Sequence, residues 1–574
     1  MLRLFKESLT RRITALDGEW YYCKDETRTG AQAGWMKALP SQKRPIIVPS
    51  CWNNEPGMIR YEGDVWLETD FDTQLPNARL VFGAVNNECD VYLDGRLLGS
   101  HYGGFTEFAF VCEGLKPGMH HLSLRTSNDH NSVDTLPLTG VDWFHYGGVI
   151  RSVEVHEFEK AAIEHIKLEY TLDAANTVQL SAKVQLRAFG TVNAPVTLSL
   201  DGRTLAQADV SVCGTGEVTL HATLTDVERW SPQSPRLYTF TVSFAEDTLR
   251  ERTGFRTIEI RDRQFLLNGE PFTFKGVNRH EEHPDWGFAV PVKLVKRDID
   301  IIRGMGCNMI RGSHYPNAKT TLDYMDETGM MFWEEIPMWG FQEEALKNET
   351  ARARGVQLHT EMVTRDYNHP CIIVWGLNNE VATNTQAAQE VAALFRNTLR
   401  AHDTTRLITY ASNHPLDDIC FAFADFISIN YYIGWYGGPL EKWPGFLEQL
   451  TEYLEKTGNG HKPLVMSEFG AGGVYGETAF EDVMWTENYQ QEYLAYTLDL
   501  FMHHPRMNGT IVWQYCDIRV DLEPRRALSR PRSFNNKGLV NEYRHPKMAY
   551  YTVKKAYTAQ EGAKGGPNDG GKRI

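Results

Sequence analysis

The chain has 574 residues, 42% hydrophobic and 23% charged, enough apolar material for three or four packed domains and too much for a generally disordered polymer. Its formal net charge of −15 excludes an extended nucleic-acid or anionic-membrane surface, and an anionic ligand would need basic residues gathered locally. Nine cysteines with no C-x-x-C pair, and an N-terminus broken by Lys6, Glu7, Arg11 and Arg12, read as a reduced cytoplasmic protein without a signal peptide; no run approaches the roughly 20 apolar residues of a membrane span.

Residues 1–158 read as short alternating strands parted by turn signals. Val65–Phe71, Arg79–Phe82, Cys89–Leu93 and His121–Arg125 alternate, and Asp94-Gly95 is a two-residue hairpin signal, giving an all-β sandwich or jelly roll. Its last stretch, VDWFHYGGVIR from Val141, sets Asp142 beside Trp143, Phe144, His145 and Tyr146 ahead of two glycines. That is either an aromatic edge of the core or a loop projecting toward a neighbouring site. Residues 159–260 continue the alternation over about 100 residues, the size of an immunoglobulin-like sandwich, and carry no evident chemistry.

From 261 to 559 strand-like runs alternate with helical patterns, the texture of βα units. The strands are expected at Phe272–His280, Asn308–His314, Met330–Pro337, Cys371–Glu380, Leu407–Ser412, Phe426–Tyr432, Pro463–Phe469 and Gly509–Tyr515. Eight such units form a (β/α)8 barrel. The final residues, 560–574, rich in glycine and charge, read as a disordered tail.

Function in such a barrel collects at the C-terminal strand ends. Two carboxylates there close otherwise apolar strands: Glu380 after CIIVWGLNN and Glu468 after PLVMS. Either alone can cap a polar loop, but strands four and seven lie three units apart and can face each other across the mouth. Such a pair suits glycoside hydrolysis, one carboxyl protonating the leaving oxygen while the other attacks the anomeric carbon or activates water. In a retaining enzyme the two lie roughly 5–5.5 Å apart. Asn379, beside Glu380, can bond a sugar 2-hydroxyl. No Walker loop, H-E-x-x-H or G-x-G-x-x-G falls in the context it needs. The run His280-Glu281-Glu282-His283 lacks a nearby third ligand and reads as loop or sugar contact rather than a metal site.

From about residue 14 to 558 the chain resembles glycoside hydrolase family 2, with its jelly roll, immunoglobulin-like sandwich and barrel, and NRHEEHP, RGSHYPN, WGLNNE and SEFG at strand ends. The resemblance implies retaining hydrolysis without a cofactor, Glu380 as general acid/base and Glu468 as nucleophile. It also implies a small-molecule or oligosaccharide substrate and a dimeric or tetrameric assembly. Within the family, RPRSFNNKG resembles the Asn-x-Lys segment by which β-glucuronidases hold a sugar carboxylate, giving that role to Asn535 and Lys537. An amide and an ammonium there supply the local positive charge that an acidic protein needs for an acidic sugar. VDWFHYGG, SINYYIGWY, IVWQYCD and GSHYPN also match, implying Asp142, Asn430, Tyr432, Tyr436, Trp513 and His314 as substrate contacts. The segment before Asn535 is one residue longer than the family pattern, which leaves Arg530 and Arg532 as alternatives at the carboxylate. The loop at 340–350 is short, implying an open aglycone side. Two other readings stand beside the glucuronidase one. A β-galactosidase would share both glutamates, and strand one and GSHYPN lean that way, although long galactosidases carry further β domains after the barrel. A carbohydrate-binding protein on a decayed barrel is the other.

Overall fold

Period-two alternation folds the first part of the chain into two packed antiparallel sheets. The larger has six strands, in the order Arg44–Val48, Gly18–Asp25, Asp64–Thr73, Gly118–Ser127, Glu88–Leu93 and Arg96–Tyr102. The smaller has four, in the order Arg12–Ala15, Val153–Phe158, Asn77–Phe82 and Phe108–Cys112. Asp94 and Gly95 both take positive φ, +50° and +77°, and close the expected hairpin. Trp20, Leu67, Leu80, Val91, Leu124 and Val155 fill the space between the sheets. The structure, a computed structural model, describes residues 3–130, 133–522 and 529–559; the tail expected at 560–574 lies outside them.

Five long strands follow: Ala161–Leu172, Val178–Leu200, Arg203–Leu224, Tyr238–Phe244 and Asp247–Thr253. Val178–Leu200 pairs first with Ala161–Leu172 and then with Tyr238–Phe244, and a register shift at Ala188/Thr191 marks where it changes partner. Ile163, Leu180, Val196 and Phe240 form its core.

A meander of Ile258–Arg261, Gln264–Leu267 and Glu270–Phe272 leads into the barrel. Phe272, expected to open barrel strand one, pairs instead with Phe265 in this meander. Phe265 then packs at 4.4 Å from Phe274 and 5.1 Å from Phe426, closing the N-terminal end of the barrel with rings. The eight parallel strands are Phe274–Arg279, Met309–Gly312, Met331–Glu335, Ile372–Asn379, Leu407–Ser412, Ile427–Asn430, Leu464–Glu468 and Met507–Val512, and they close on themselves. Helices flank them, except that a single 3-10 turn, Phe421–Phe423, stands between strands five and six. Among the described residues no helix is long and apolar enough to cross a membrane.

The first domain is docked on the mouth of the barrel. Phe105 stacks on Tyr315 at 4.0 Å and 8°. Its carbonyl accepts from Arg151 at 2.5 Å and from Arg365 at 3.0 Å, while the Arg151 guanidinium also reaches Pro316 O at 2.8 Å and Glu281 at 3.1 Å. Buried guanidinium bonds of this kind fix orientation more than they add stability. They hold the 141–147 loop over the barrel, where Phe144 N donates to Arg519 O at 2.9 Å. Gly148, at φ +150°, lets this loop return past Ser50, whose carbonyl a Cβ would meet at 2.2 Å.

Candidate active site

A cavity of about 710 Å³ opens at the C-terminal mouth of the barrel, and both Glu380 and Glu468 line it. Strand seven carries Glu468. Its register against strand six slips between Ile429 and Asn430, so that Asn430 pairs with Glu468. A bulge of this kind re-aims a side chain at a strand end. Glu468 Oε1 accepts from Arg311 Nη1 at 2.6 Å and Oε2 accepts from the Tyr432 hydroxyl at 2.8 Å. Burial raises the Glu468 carboxyl pKa, and the Arg311 charge followed by the Tyr432 hydrogen bond pulls it back.

Glu380 is the first residue past strand four. Its backbone takes φ +52°, a conformation costing a non-glycine residue roughly 1–3 kcal/mol, and its N–H donates to Ala411 O at 2.9 Å. The chain thereby leaves the strand abruptly and turns the carboxyl into the cavity. Oε1 accepts from Asn430 Nδ2 at 2.9 Å. Burial, reinforced by the Glu468 charge, pushes the Glu380 carboxyl up to about 8. The two carboxyl groups are therefore unlike: one keeps its proton at neutral pH, and the other is held by a guanidinium and a phenol.

Arg311 organises the floor. Besides Glu468 it donates to Asn278 Oδ1 at 2.9 Å, to Asn379 Oδ1 at 2.6 Å, and to Glu335 at 2.7 and 3.1 Å. Glu335 in turn meets His314 Nδ1 at 2.7 Å. Burial keeps the His314 imidazole neutral and pushes Glu335 up to about 7. The same Nδ1 lies 3.3 Å from Arg311 Nη2, and the imidazole ring lines the cavity. Trp513, just past strand eight, stacks on His314 at 5.3 Å and 17°. Asn379 lies beneath the surface. Its Oδ1 accepts from Arg311 and from Asn430 at 3.1 Å, while its buried Nδ2 has no partner among the described residues.

A second cluster sits on the rim. Asp142, from the first domain, accepts from Arg530 at 2.7 and 3.2 Å and from Asn535 Nδ2 at 2.9 Å. Arg530 also points one nitrogen at the Tyr436 hydroxyl, 3.4 Å away, and lines the cavity. Arg532 turns aside to Glu542 at 2.8 Å. Lys537 is 2% exposed and donates to the Tyr436 hydroxyl at 2.9 Å. Among the described residues no carboxylate pairs with this ammonium, and burial lowers its pKa. A buried cation set against a phenol and aromatic rings is costly, and an anion brought to it is strongly favoured.

The structure thus places Asp142, His314, Glu380, Asn430, Tyr432, Tyr436, Glu468, Trp513 and Arg530 on the cavity wall, with Asn379, Asn535 and Lys537 immediately behind it. Sequence reasoning passed over Arg311, whose signal was a lone charge in the otherwise apolar run MIRG of strand two. It also passed over Trp143, Trp339 and Asn413, which line the cavity from loops without periodic pattern. The His280–His283 run disperses: His280 meets the Tyr315 hydroxyl, Glu281 takes Thr321, Glu282 takes Tyr146 and His283 packs on Trp286.

Residues 258–561 match the family model for the TIM barrel domain of glycosyl hydrolases family 2, and residues 161–256 match a second model of the same family. The chain belongs to glycoside hydrolase family 2. It is a glycosidase. A β-glucuronidase from Paenibacillus borealis is 27% identical over 593 residues, covering 95% of this chain and 96% of that protein. A putative β-glucuronidase from Formosa agariphila is 26% identical over 525 residues, covering 84% of this chain and 62% of that protein. A family 2 β-galacturonidase from Eisenbergiella tayi, solved with galacturonate bound, is 31% identical and superposes with a TM-score of 0.90 over 97% of this chain and 99% of that one.

Proposed function

We propose that the protein is a retaining β-hexuronidase that hydrolyses β-D-glucuronides to D-glucuronate and an alcohol or phenol. The observation that carries this reading is Lys537, a buried ammonium with no carboxylate partner among the described residues, behind the wall of a cavity lined by two unlike carboxyl groups. Glu468 attacks the anomeric carbon as Glu380 gives its proton to the departing oxygen, and a glycosyl-enzyme ester forms. Glu380, now a base, takes a proton from water as that water attacks the same carbon and Glu468 leaves. Arg311 and Tyr432 hold Glu468 in line, and Asn379 Nδ2, buried just behind the wall, would turn outward to donate to the sugar 2-hydroxyl. The sugar carboxylate is held by Lys537, Arg530 and Asn535. Tyr436, 62% exposed, can swing aside without disturbing the core and admit the carboxylate to Lys537.

A second reading is favoured by one observation, the higher identity and closer superposition of the β-galacturonidase. Galacturonides differ only in the hand of the 4-hydroxyl and would use the same carboxylate contacts. Comparing kcat/KM for the p-nitrophenyl glucuronide, galacturonide and galactoside separates the readings. Faster turnover of the glucuronide is expected; faster galacturonide turnover selects the second reading, and a preference for the galactoside overturns both.

A further inference from the structure

We infer that the cavity continues past the scissile bond into a plus-one subsite built on Trp339 and Asn413, and that this subsite takes a second sugar ring. The inference rests on the glycosidase mechanism proposed above and adds the class of the leaving group. A general acid must face the departing oxygen, so cavity wall beside Glu380 is aglycone wall. Trp339 follows strand three, and the chain around it is bonded to the residue before Glu380: Asn379 N donates to Met338 O at 2.9 Å, and Gly340 N donates to Asn379 O at 2.9 Å. Asn413 lies two residues past Ala411, whose carbonyl accepts the Glu380 N–H. The two side chains therefore flank Glu380 on either side, and both line the cavity. The cationic cluster of Arg530 and Lys537 gathers around Tyr436 instead, the glycone end.

The chemistry of the pair selects a carbohydrate. The Trp339 ring is half-buried and held nearly at right angles to Trp143, 6.2 Å away and 83° apart, which fixes the indole as a platform. Asn413 is exposed, and its amide has no hydrogen-bond partner among the described residues. A fixed indole face on one side of Glu380 and a free donor and acceptor on the other match a pyranose ring, with its apolar C–H face and its edge of hydroxyls. An aryl or alkyl group would use the indole and leave the amide in water.

The test compares kcat/KM for a methyl β-glycoside, a p-nitrophenyl β-glycoside and a β-linked disaccharide of whichever glycone is turned over fastest. The wild-type enzyme should prefer the disaccharide to the methyl glycoside. Trp339→Ala should cut the disaccharide value by roughly tenfold or more while changing the methyl glycoside less than about twofold. Asn413→Ala should shift the disaccharide in the same direction and leave the p-nitrophenyl glycoside unchanged. Because Asn413 is exposed, that variant carries the test should Trp339→Ala fail to fold. Equal losses on methyl glycoside and disaccharide would overturn the subsite, and a loss confined to the p-nitrophenyl glycoside would make it an apolar wall instead. A neutral glycone outpacing the uronides would sink the uronide reading separately, with the disaccharide ratios still readable.

Discussion

The floor and the rim of the cavity are built differently. The floor groups, Arg311, Glu335, Asn379, Glu380, Asn430 and Glu468, sit at barrel strand ends and are joined by side-chain hydrogen bonds of 2.6–3.1 Å. The rim groups come from loops: Asp142 from the first domain, Tyr436 past strand six, and Arg530, Asn535 and Lys537 past strand eight. Regular strands position reacting groups to fractions of an ångström, and loops can change what is recognised without disturbing them. The floor is where a variant should stop chemistry, and the rim is where it should change selectivity.

The largest effect is expected at Glu468. Glu468→Gln should lower kcat by roughly 10⁴-fold or more on every glycoside while the protein stays folded. Residual activity above about one hundredth would remove the residue from the proposed nucleophile role. Glu380→Gln should cost about 10²–10⁴-fold on an alkyl uronide and much less on the p-nitrophenyl uronide, whose leaving group needs little protonation. The wild-type kcat/KM should fall as pH rises through about 8, where Glu380 loses its proton, and this limb should vanish in the variant. Stability should follow the same group. Its pKa rises from an ordinary 4.5 to about 8 on folding, so the folded state binds the extra proton and stability drops as pH climbs between those values. Melting curves should show Glu380→Gln without that slope and more stable than wild type above pH 8.

At the rim the expected effects are smaller and selective. Lys537→Ala should reduce kcat/KM on uronides by about 100-fold and leave any neutral-glycoside activity intact. Equal losses on both would merge rim and floor and break the contrast. Asp142→Asn keeps the volume but releases Arg530 from its ion pair, and should shift uronide KM by roughly tenfold or less with kcat little changed.

Much of the floor was legible because its groups interrupt strong patterns. An apolar run ending in Asn-Asn-Glu, or in Ser-Glu, marks a strand end whatever the loops do, and Glu380 and Glu468 do meet at one cavity. Arg311 was hidden for the opposite reason: inside a strand an arginine reads as an exception, and its worth appears only when side chains from four other strand ends gather on it. The rim was legible only through resemblance. Nothing in periodicity says that Asp142 meets Arg530 across 388 positions of chain, or that Lys537 lies behind Tyr436 rather than on the wall. Strand one was misjudged by two residues because Phe272 suits a strand in either the meander or the barrel, and its pairing with Phe265 decided which.

The docking of the first domain through Phe105, Arg151 and Arg365 has a further consequence. Asp142 and Trp143 ride on that domain, so the site is assembled from two folding units, only one of which holds the glutamates. A molecule whose first domain lifts away would keep Glu380 and Glu468 in register yet lose the residue that anchors Arg530. On the proposed function, sugar discrimination would rest on quaternary-like contact within a single chain, and it should fail earlier on the way to unfolding than bond cleavage does.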